Sequence, residues 1–327
     1  MKQGKFIISL DFELFWGVRD KRSLTSYGNN IAKVHTIVPE MLSIFKEYNV
    51  HATFATVGFL FAKNKEELVQ YSPQEKPQYK DSNLSPYLDN FTSVKEEHEN
   101  DLHHYAVNLI NLIKNYPEHE IGSHTFSHFY CKEEGQTATD FEADIKAALR
   151  IAKDNSVVIE SLVFPRNQFR KDYVDICSVY GIRAYRGNEK VWFQNPESEH
   201  DTSFLKRVFR TFDCYVDISG PHTYKISDLA GQKPYNIPSS RFLRPYKEKG
   251  GALLEQLKIR RIKNGMSYAA KNNEVYHLWW HPHNFGANTK ENFVSLIEIL
   301  KHYRVLHEKY GFESMTMLEL ANEMDSI

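Results

Sequence analysis

Cysteine is scarce in this sequence, which has three cysteines among 327 residues and no CxxC pair. Cys131, Cys177 and Cys214 are odd in number and far apart, so they do not predict a disulfide framework. They indicate free thiols in a reducing compartment. The chain also lacks an HExxH segment, so it does not have the helix on which zinc peptidases carry their catalytic base.

Neither sign of charge is in excess, because 41 Lys and Arg residues face 42 Asp and Glu residues, for a net charge of −1. This balance gives no reason to expect nucleic acid or an anionic membrane as the main partner.

Long apolar runs are also missing. The N-terminal run has only five residues before Asp11, and no stretch approaches the ~18 apolar residues that span a bilayer. We therefore expect a cytoplasmic protein without a signal peptide or a membrane span. The sequence leaves the oligomeric state open.

Short apolar runs alternate with amphipathic segments along the chain. Runs at residues 5–10, 51–57 and 275–280 are typical of buried strands, whereas residues 31–48 and 252–271 have apolar residues at helical spacing. Strands that alternate with helices in this way indicate βα units around a parallel sheet or barrel.

The hydrophobic content of 41% is enough for a large core, and a barrel of this length is commonly one unit. We expect a single domain over residues 1–327. Two insertions interrupt the alternation, a polar one around 71–100 and an irregular one around 187–250.

The first chemical motif is a histidine pair in the segment HEIGSHTFSHFYC. His124 and His128 are four residues apart, so both imidazoles can face one point if the backbone turns after a short strand. A catalytic zinc usually takes three protein ligands and leaves a position for water. Asp11 and Glu13 lie on one side of an extended segment, so one carboxylate could bind the metal while the other stays free. Among 15 histidines an HxxxH pair also arises by chance, so the surrounding sequence decides whether the pair indicates a metal site.

That context is the position of polar residues just after predicted strands. Asp11 follows the run FIISL, His124 follows EIGS, Arg166 follows LVFP and His281 follows VYHLWW. In parallel α/β folds the carboxyl ends of the strands are where ligand sites form. Four such positions favour a common site over coincidence.

At these residues the chain resembles the polysaccharide deacetylases of carbohydrate esterase family 4, which have the NodB-homology domain. The similar segments are SLDFE, HTFSH, VFPRNQ and LWWHPHNFG, within a resemblance that extends from about Lys5 to His283. It implies a distorted parallel (β/α) barrel of roughly seven strands with inserted loops. It also implies removal of N- or O-linked acetyl groups from sugars with a divalent metal, usually zinc.

The resemblance implies a role for each matched residue. Asp11 would be the catalytic base, Arg166 would orient that base, and His281 would be the acid. The metal would be bound by Glu13, His124 and His128. The chain departs from the family in its first motif, where Phe12 separates Asp11 from a glutamate instead of two aspartates being adjacent. The aspartate expected to pair with the acid could be Asp213, Asp217 or Asp228.

Several further residues are candidates for contacts with the substrate. His283, in the HPH segment, could bind substrate or replace His281 as the acid. Trp16 and Trp280 could stack on a sugar ring, although aromatic residues at such spacings more often belong to the core. Arg183 and Arg186 could contact the phosphate of a nucleotide sugar, but surface ion pairs explain them equally well.

The sequence therefore predicts a metal-dependent deacetylase acting on an acetylated sugar, oligosaccharide or nucleotide sugar. Two alternatives remain. A 2-His-1-carboxylate iron enzyme would use the same ligand types, but its strands would normally form an antiparallel jelly roll. A non-catalytic carbohydrate-binding relative of the deacetylases would retain the fold without the reaction.

Overall fold

The computed structural model describes residues 3–89, 91–191, 193 and 204–327. The strands in this part of the chain are β1 (Lys5–Phe12), β2 (Thr53–Thr56), β3 (Glu120–Ser123), β4 (Ser161–Val163), β5 (Ala184–Gly187), β6 (Tyr224–Lys225), β7 (Tyr235–Pro238), β8 (Arg241–Phe242), β9 (Glu274–Trp280) and β10 (Glu313–Met315). The helices are α1 (Leu24–Ala32), α2 (Val34–Tyr48), α3 (Lys65–Tyr71), α4 (Val107–Lys114), α5 (Ala138–Asp154), α6 (Lys171–Val179), α7 (Phe204–Phe212), α8 (Ile226–Leu229), α9 (Gly251–Asn272), α10 (Thr289–Tyr310) and α11 (Met317–Met324).

The strands form one strongly curved sheet in the order β9, β1, β2, β3, β4, β5, β7, and each neighbouring pair is parallel. The chain then turns from β7 into β8, which pairs with β9 and nearly closes the sheet on itself. β10 adds to β1, and β6 is antiparallel to β9. The predicted α/β barrel of mostly parallel strands is therefore confirmed, and it is not the jelly roll expected of the iron alternative.

Side chains along β1 alternate between the two faces of the barrel wall. Phe6, Ile8 and Leu10 point outward into the layer of helices, where they join the largest apolar cluster. Ile7 points inward to a smaller apolar cluster that fills the lower part of the barrel. The inward positions that follow are Ser9, Asp11 and Glu13, so the interior becomes polar towards the carboxyl ends of the strands.

The lower end of the barrel is closed by α11. Thr316 caps this helix by accepting from the backbone N–H of Glu319, whose side chain accepts from the backbone N–H of Thr316. Leu320, fully buried, packs with Ile7 and other inward residues of the strands. Within the described residues, this packing fills the lower end of the barrel, and the cavity lies at the upper end.

The two predicted insertions have different structures. Residues 72–106 form loops with two short 3-10 helices. The described part of residues 187–250 contains α7, α8 and three short strands, of which β8 completes the barrel wall. No helix in the described ranges has both the length and the apolar character needed to cross a membrane.

We expect Leu320→Ala to lower the free energy of unfolding by about 2–5 kcal/mol, because it leaves a cavity beneath the site. Leu253→Ala, on the exposed surface of α9 (68% exposed), is the matched control and should change it by less than about 0.5 kcal/mol. Denaturant titration followed by circular dichroism measures both. Equal effects of the two changes would contradict the packing described for α11.

Candidate metal centre

Three side chains converge at the open end of the barrel with the geometry of a metal site. The Oε2 atom of Glu13 lies 3.0 Å from Nε2 of His128 and 3.3 Å from Nε2 of His124. One ligand atom from each residue falls within 4.8 Å of the others, and all three residues are buried. Two imidazoles and one carboxylate are a ligand set that suits zinc and related divalent metals.

The hydrogen bonding of His124 fits this role. Its Nδ1–H donates to the carbonyl of Val163 at 2.7 Å, which turns Nε2 towards Glu13. That Nε2 atom is buried and has no hydrogen-bond partner. Burial lowers the pKa of His128 to about 4, so this ring is neutral, as metal binding requires.

The loop that carries the two histidines is held from α5. The Asp144 carboxylate accepts from the backbone N–H of Phe126 at 2.6 Å and from the backbone N–H and the hydroxyl of Ser127. Thr125 and His128 have positive φ angles of 62° and 59°, which are strained for residues other than glycine. Fixed bonds to Asp144 keep the loop in this conformation, so the histidines are aimed by a rigid turn and not by a helix.

Asp11 lies beside Glu13 but binds a different partner. Arg186 donates from Nη1 to Oδ1 of Asp11 at 2.6 Å and from Nη2 to Oδ2 at 2.8 Å. Burial would raise the pKa of Asp11, but the Arg186 charge outweighs this effect and holds the pKa below its usual value. Asp11 therefore remains a carboxylate. Burial would also raise the pKa of Glu13, but the imidazoles of His281, His124 and His128 outweigh this effect and hold that pKa well below its usual value.

The resemblance implied that Arg166 orients Asp11, but in the structure a different arginine, Arg186, binds Asp11. Arg166 instead forms ion pairs with Asp20 and Glu133, and its backbone is left-handed with φ of 55°. Arg186, considered from the sequence as a phosphate contact or a surface ion pair, is instead fully buried inside the barrel, within β5. It comes directly after residues 182–185, which have the pattern of a brief strand, and this position is the signal that could have identified it.

A polar network below Asp11 positions Arg186. The Nδ1–H of His277 donates to the carbonyl of Ile237, so its Nε2 accepts from the Ser9 hydroxyl at 2.8 Å. The Ser9 oxygen in turn accepts from Nη1 of Arg186 at 3.0 Å. On the other side, the ring of Trp279 lies 4.1 Å from the guanidinium carbon. These contacts hold the Arg186 guanidinium in the orientation that binds Asp11.

Both histidines of the HPH segment reach the site. Nε2 of His281 lies 3.6 Å from Oδ2 of Asp11 and 3.6 Å from Oε1 of Glu13, and its Nδ1 accepts from the Asn284 amide. This tautomer places a proton on Nε2, which faces the cavity. His283 is more deeply buried, with Nδ1 3.8 Å from Glu13, and burial lowers its pKa to about 3. His281 is thus the better placed proton donor.

Trp16 and Trp280 do not reach the cavity, so the prediction that they stack on a sugar is wrong. Trp16 is buried against Phe59 and donates from its indole to the carbonyl of His104. Trp280 is fully buried in the outer apolar layer. Its neighbour Trp279 lies on the inward face of β9 and lines the cavity. Alternation along the strand, with His277, Trp279 and His281 on one face, could have shown this.

None of the three aspartates considered as a partner for the acid contacts His281 in the described chain. Asp213 is buried between Arg241 and Arg261, and Arg241 lowers the pKa of Asp213 to about 2 against the effect of burial. Asp217 pairs with Arg261, and Asp228 bonds to Ser227. Glu189 and His222 cluster with Asp213 as a second possible ligand group, but the two arginines already neutralise that carboxylate.

A cavity of about 460 Å³ opens above these groups. Its floor includes Asp11, Glu13, His128 and His281. Its walls carry aromatic and basic side chains, among them Tyr27, Phe242 and Trp279. The volume is in the range of sites for small molecules.

The profile described as polysaccharide deacetylase matches residues 26–185. Residues 26–185 therefore form a polysaccharide deacetylase domain. The matched residues include His124, His128 and Arg166, whereas Asp11, Glu13, Arg186 and His281 lie outside them and join the site through the fold. No curated protein matches the sequence.

Solved structures share the fold at low sequence identity. A Mycobacterium smegmatis protein provisionally named a polysaccharide deacetylase has a TM-score of 0.61 and 13% identity, over 100% of this chain and 92% of that one. Puue allantoinase has a TM-score of 0.54 and 9% identity, over 98% and 90% of the two chains. A GH57-type branching enzyme from Pyrococcus horikoshii has a TM-score of 0.51 and 10% identity, over 98% and 70%. At these identities the likeness shows the family barrel alone.

We expect Gly17→Ala to weaken metal binding by about 10–100-fold, because the new methyl carbon would lie 1.9 Å from the carboxyl carbon of Glu13 and displace it. Gly231→Ala, where no atom lies within 4 Å of the new carbon, is the control. Competition with a chromogenic chelator measures both affinities. An unchanged affinity in Gly17→Ala would show that Glu13 is not a ligand.

We expect Arg186→Met to lower the free energy of unfolding by about 3–5 kcal/mol, since it leaves the Asp11 charge buried without a partner. Adding Asp11→Asn to this variant should recover part of the loss, because the unpaired charge is then removed. Urea denaturation of the single and double variants tests the coupling. Additive losses would contradict the pairing.

Proposed function

We propose that this protein is a metal-dependent hydrolase, with zinc as the metal, that removes an acetyl group from an N- or O-acetylated sugar. One observation carries the proposal. A buried carboxylate and two buried imidazoles converge on one point, and a second carboxylate beside them is held ionised by Arg186 and left out of that set.

Glu13, His124 and His128 would hold the metal, and their donor atoms fit it. When bound, a divalent metal polarises a carbonyl oxygen and lowers the pKa of water from 15.7 towards about 7. The remaining steps fall to the side chains around it.

Asp11 is the proposed base. Its carboxylate accepts the proton of the water that attacks the acetyl carbon, and Arg186 keeps it oriented and ionised before that step. Arg186 thus takes the positioning role that the family resemblance implied for Arg166.

His281 is the proposed acid. In its protonated form, His281 can pass the proton on Nε2 to the amine or alkoxide that leaves the acetyl carbon and so become a neutral imidazole, since neither group leaves readily without a proton. A positioned acid or base of this kind contributes about 10²–10⁴ in rate. Trp279 and Phe242 flank the acid and offer faces to a sugar ring.

We also propose that residues 1–327 act as one catalytic unit. The site takes Asp11 and Glu13 from β1 and its C-terminal flank, and His281 from the end of β9. β10, close to the C-terminus, pairs with β1.

We expect Asp11→Asn to reduce acetate release by at least about 10²-fold while one equivalent of metal stays bound, because the variant lacks the base but keeps the three ligands. Elemental analysis and an acetate assay on N-acetylated sugars measure the two properties. Asp228→Asn, on the surface of α8, is the matched control and should be fully active. Loss of the metal in Asp11→Asn would reverse the roles of Asp11 and Glu13.

A further inference from the structure

We propose that the acetylated sugar carries a phosphate or diphosphate group, which a basic rim around the cavity binds. The basic rim consists of Arg22, Arg244 and Lys247. This inference names the substrate class of the proposed function and rests on it. It is carried by the charges that line the cavity and by the contacts those charges make.

Positive charge is concentrated at the cavity, although the whole chain has a net charge of −1. The acidic residues of the lining are Asp11 and Glu13, both on the floor. Five basic residues also line it: Lys21, Arg22, Arg166, Arg244 and Lys247. An excess of cations in a concave site attracts an anionic ligand and raises its local concentration.

The charges on the floor do not neutralise the basic rim. Asp11 forms its ion pair with Arg186, and Glu13 lies against the imidazole of His128. Arg166 is also excluded from the rim, because Asp20 and Glu133 already pair with it.

The rim residues have contacts that leave their charge available. Arg22 lies over the ring of Tyr27 at 5.8 Å, and Arg244 donates from Nη2 to the carbonyl of Arg210 at 3.3 Å. Nε of Arg244 is buried and has no hydrogen-bond partner. Within the described chain, none of the three rim residues forms an ion pair with a carboxylate. The buried Nε donor of Arg244 and the two exposed cations beside it are therefore free to bind an anion at the mouth of the site.

Phosphate fits these donors better than a single carboxylate does. Guanidinium groups bind phosphate oxygens through two parallel hydrogen bonds, and a lysine adds a point charge. A phosphate monoester carries a charge near −2 at neutral pH, which three cations from two segments of the chain can match. Tyr27, Phe242 and Trp279 of the same lining offer aromatic faces to the sugar, so the basic rim is available for the phosphate.

The group could belong to a soluble sugar phosphate or nucleotide sugar, or to a sugar linked to a lipid through diphosphate. Acetate release should therefore be compared on N-acetylglucosamine 1-phosphate, UDP-N-acetylglucosamine, a short polyprenyl diphosphate N-acetylglucosamine and the neutral N-acetylglucosamine trimer. We expect a lower KM for at least one phosphorylated substrate than for the trimer. The phosphorylated substrate with the lowest KM identifies the source of the phosphate.

The rim is tested by the double variant Arg244→Gln, Lys247→Gln in the zinc-loaded full chain. We expect KM for the preferred phosphorylated sugar to rise by about tenfold or more, with kcat and the KM for the trimer nearly unchanged. Lys249→Gln is the control, because this lysine is exposed and lies outside the cavity. An unchanged KM in the double variant, or equal use of the neutral trimer, would overturn the inference while leaving the deacetylase proposal intact.

A binding measurement separates the two proposals. Calorimetry with UDP and with inorganic phosphate, on the wild type and the double variant, needs no turnover. Binding that weakens at least about tenfold in the double variant supports the basic rim, even if no acetylated sugar is hydrolysed and the deacetylase proposal fails. Equal binding by both proteins would overturn the inference.

Discussion

The buried pair of Asp11 and Arg186 is the interaction on which the site depends. Two carboxylates that follow each other on one face of β1 are both removed from water, and like charges so close would normally force one of them to take up a proton. Arg186 neutralises Asp11 through two hydrogen bonds, which leaves Glu13 to the imidazoles. The division of partners gives two adjacent carboxylates two different chemical roles.

A parallel barrel makes this division possible because it brings residues from distant strands to one end. Arg186 enters from β5, the histidine loop follows β3, and His281 follows β9. Inside the wall, the Ser9 and His277 side chains link these strands below the reacting groups. A buried polar network of this kind is stabilising only when its members are paired, so it also restricts the conformations that the arginine can adopt. The lower barrel, filled by apolar residues and closed by α11, supplies the rigid base for it.

The upper end of the barrel departs from regular backbone where the chemistry requires it. Positive φ angles at Thr125, His128, Arg166 and Asn167 are costly for these residue types. Asp144 stabilises the first two, and the Asn167 side chain accepts from Arg186 at 2.8 Å. The strain is thus compensated by hydrogen bonds next to Glu13, the two histidines and the Asp11–Arg186 pair. Around this rigid floor, the basic rim belongs to exposed segments and can vary without disturbing the reacting groups.

The local pattern of the sequence was sufficient for several features. Apolar runs that alternate with amphipathic segments predicted βα units around a parallel sheet or barrel, since the spacing of apolar residues reflects burial that the chain encodes locally. The family resemblance then favoured the barrel. The spacing of His124 and His128 and the pair Asp11 and Glu13 predicted groups that the structure brings together, because short motifs at strand ends are aimed by their own backbone. Alternation within β9 contained the further signal that Trp279, and not Trp280, faces inward.

Other features depended on contacts between residues far apart in the chain. Arg166 lies just after β4 and Arg186 near the end of β5, and nothing in their local sequence shows which guanidinium reaches Asp11. The answer depends on how far each strand lies around the barrel from β1 and on the left-handed turn that directs Arg166 towards Asp20 and Glu133. The overall charge balance also does not show that Arg22, Arg244 and Lys247 come together at the mouth of the cavity. The composition and the spacing of apolar residues predict the fold, but only the packing of the strands decides which distant charges become neighbours.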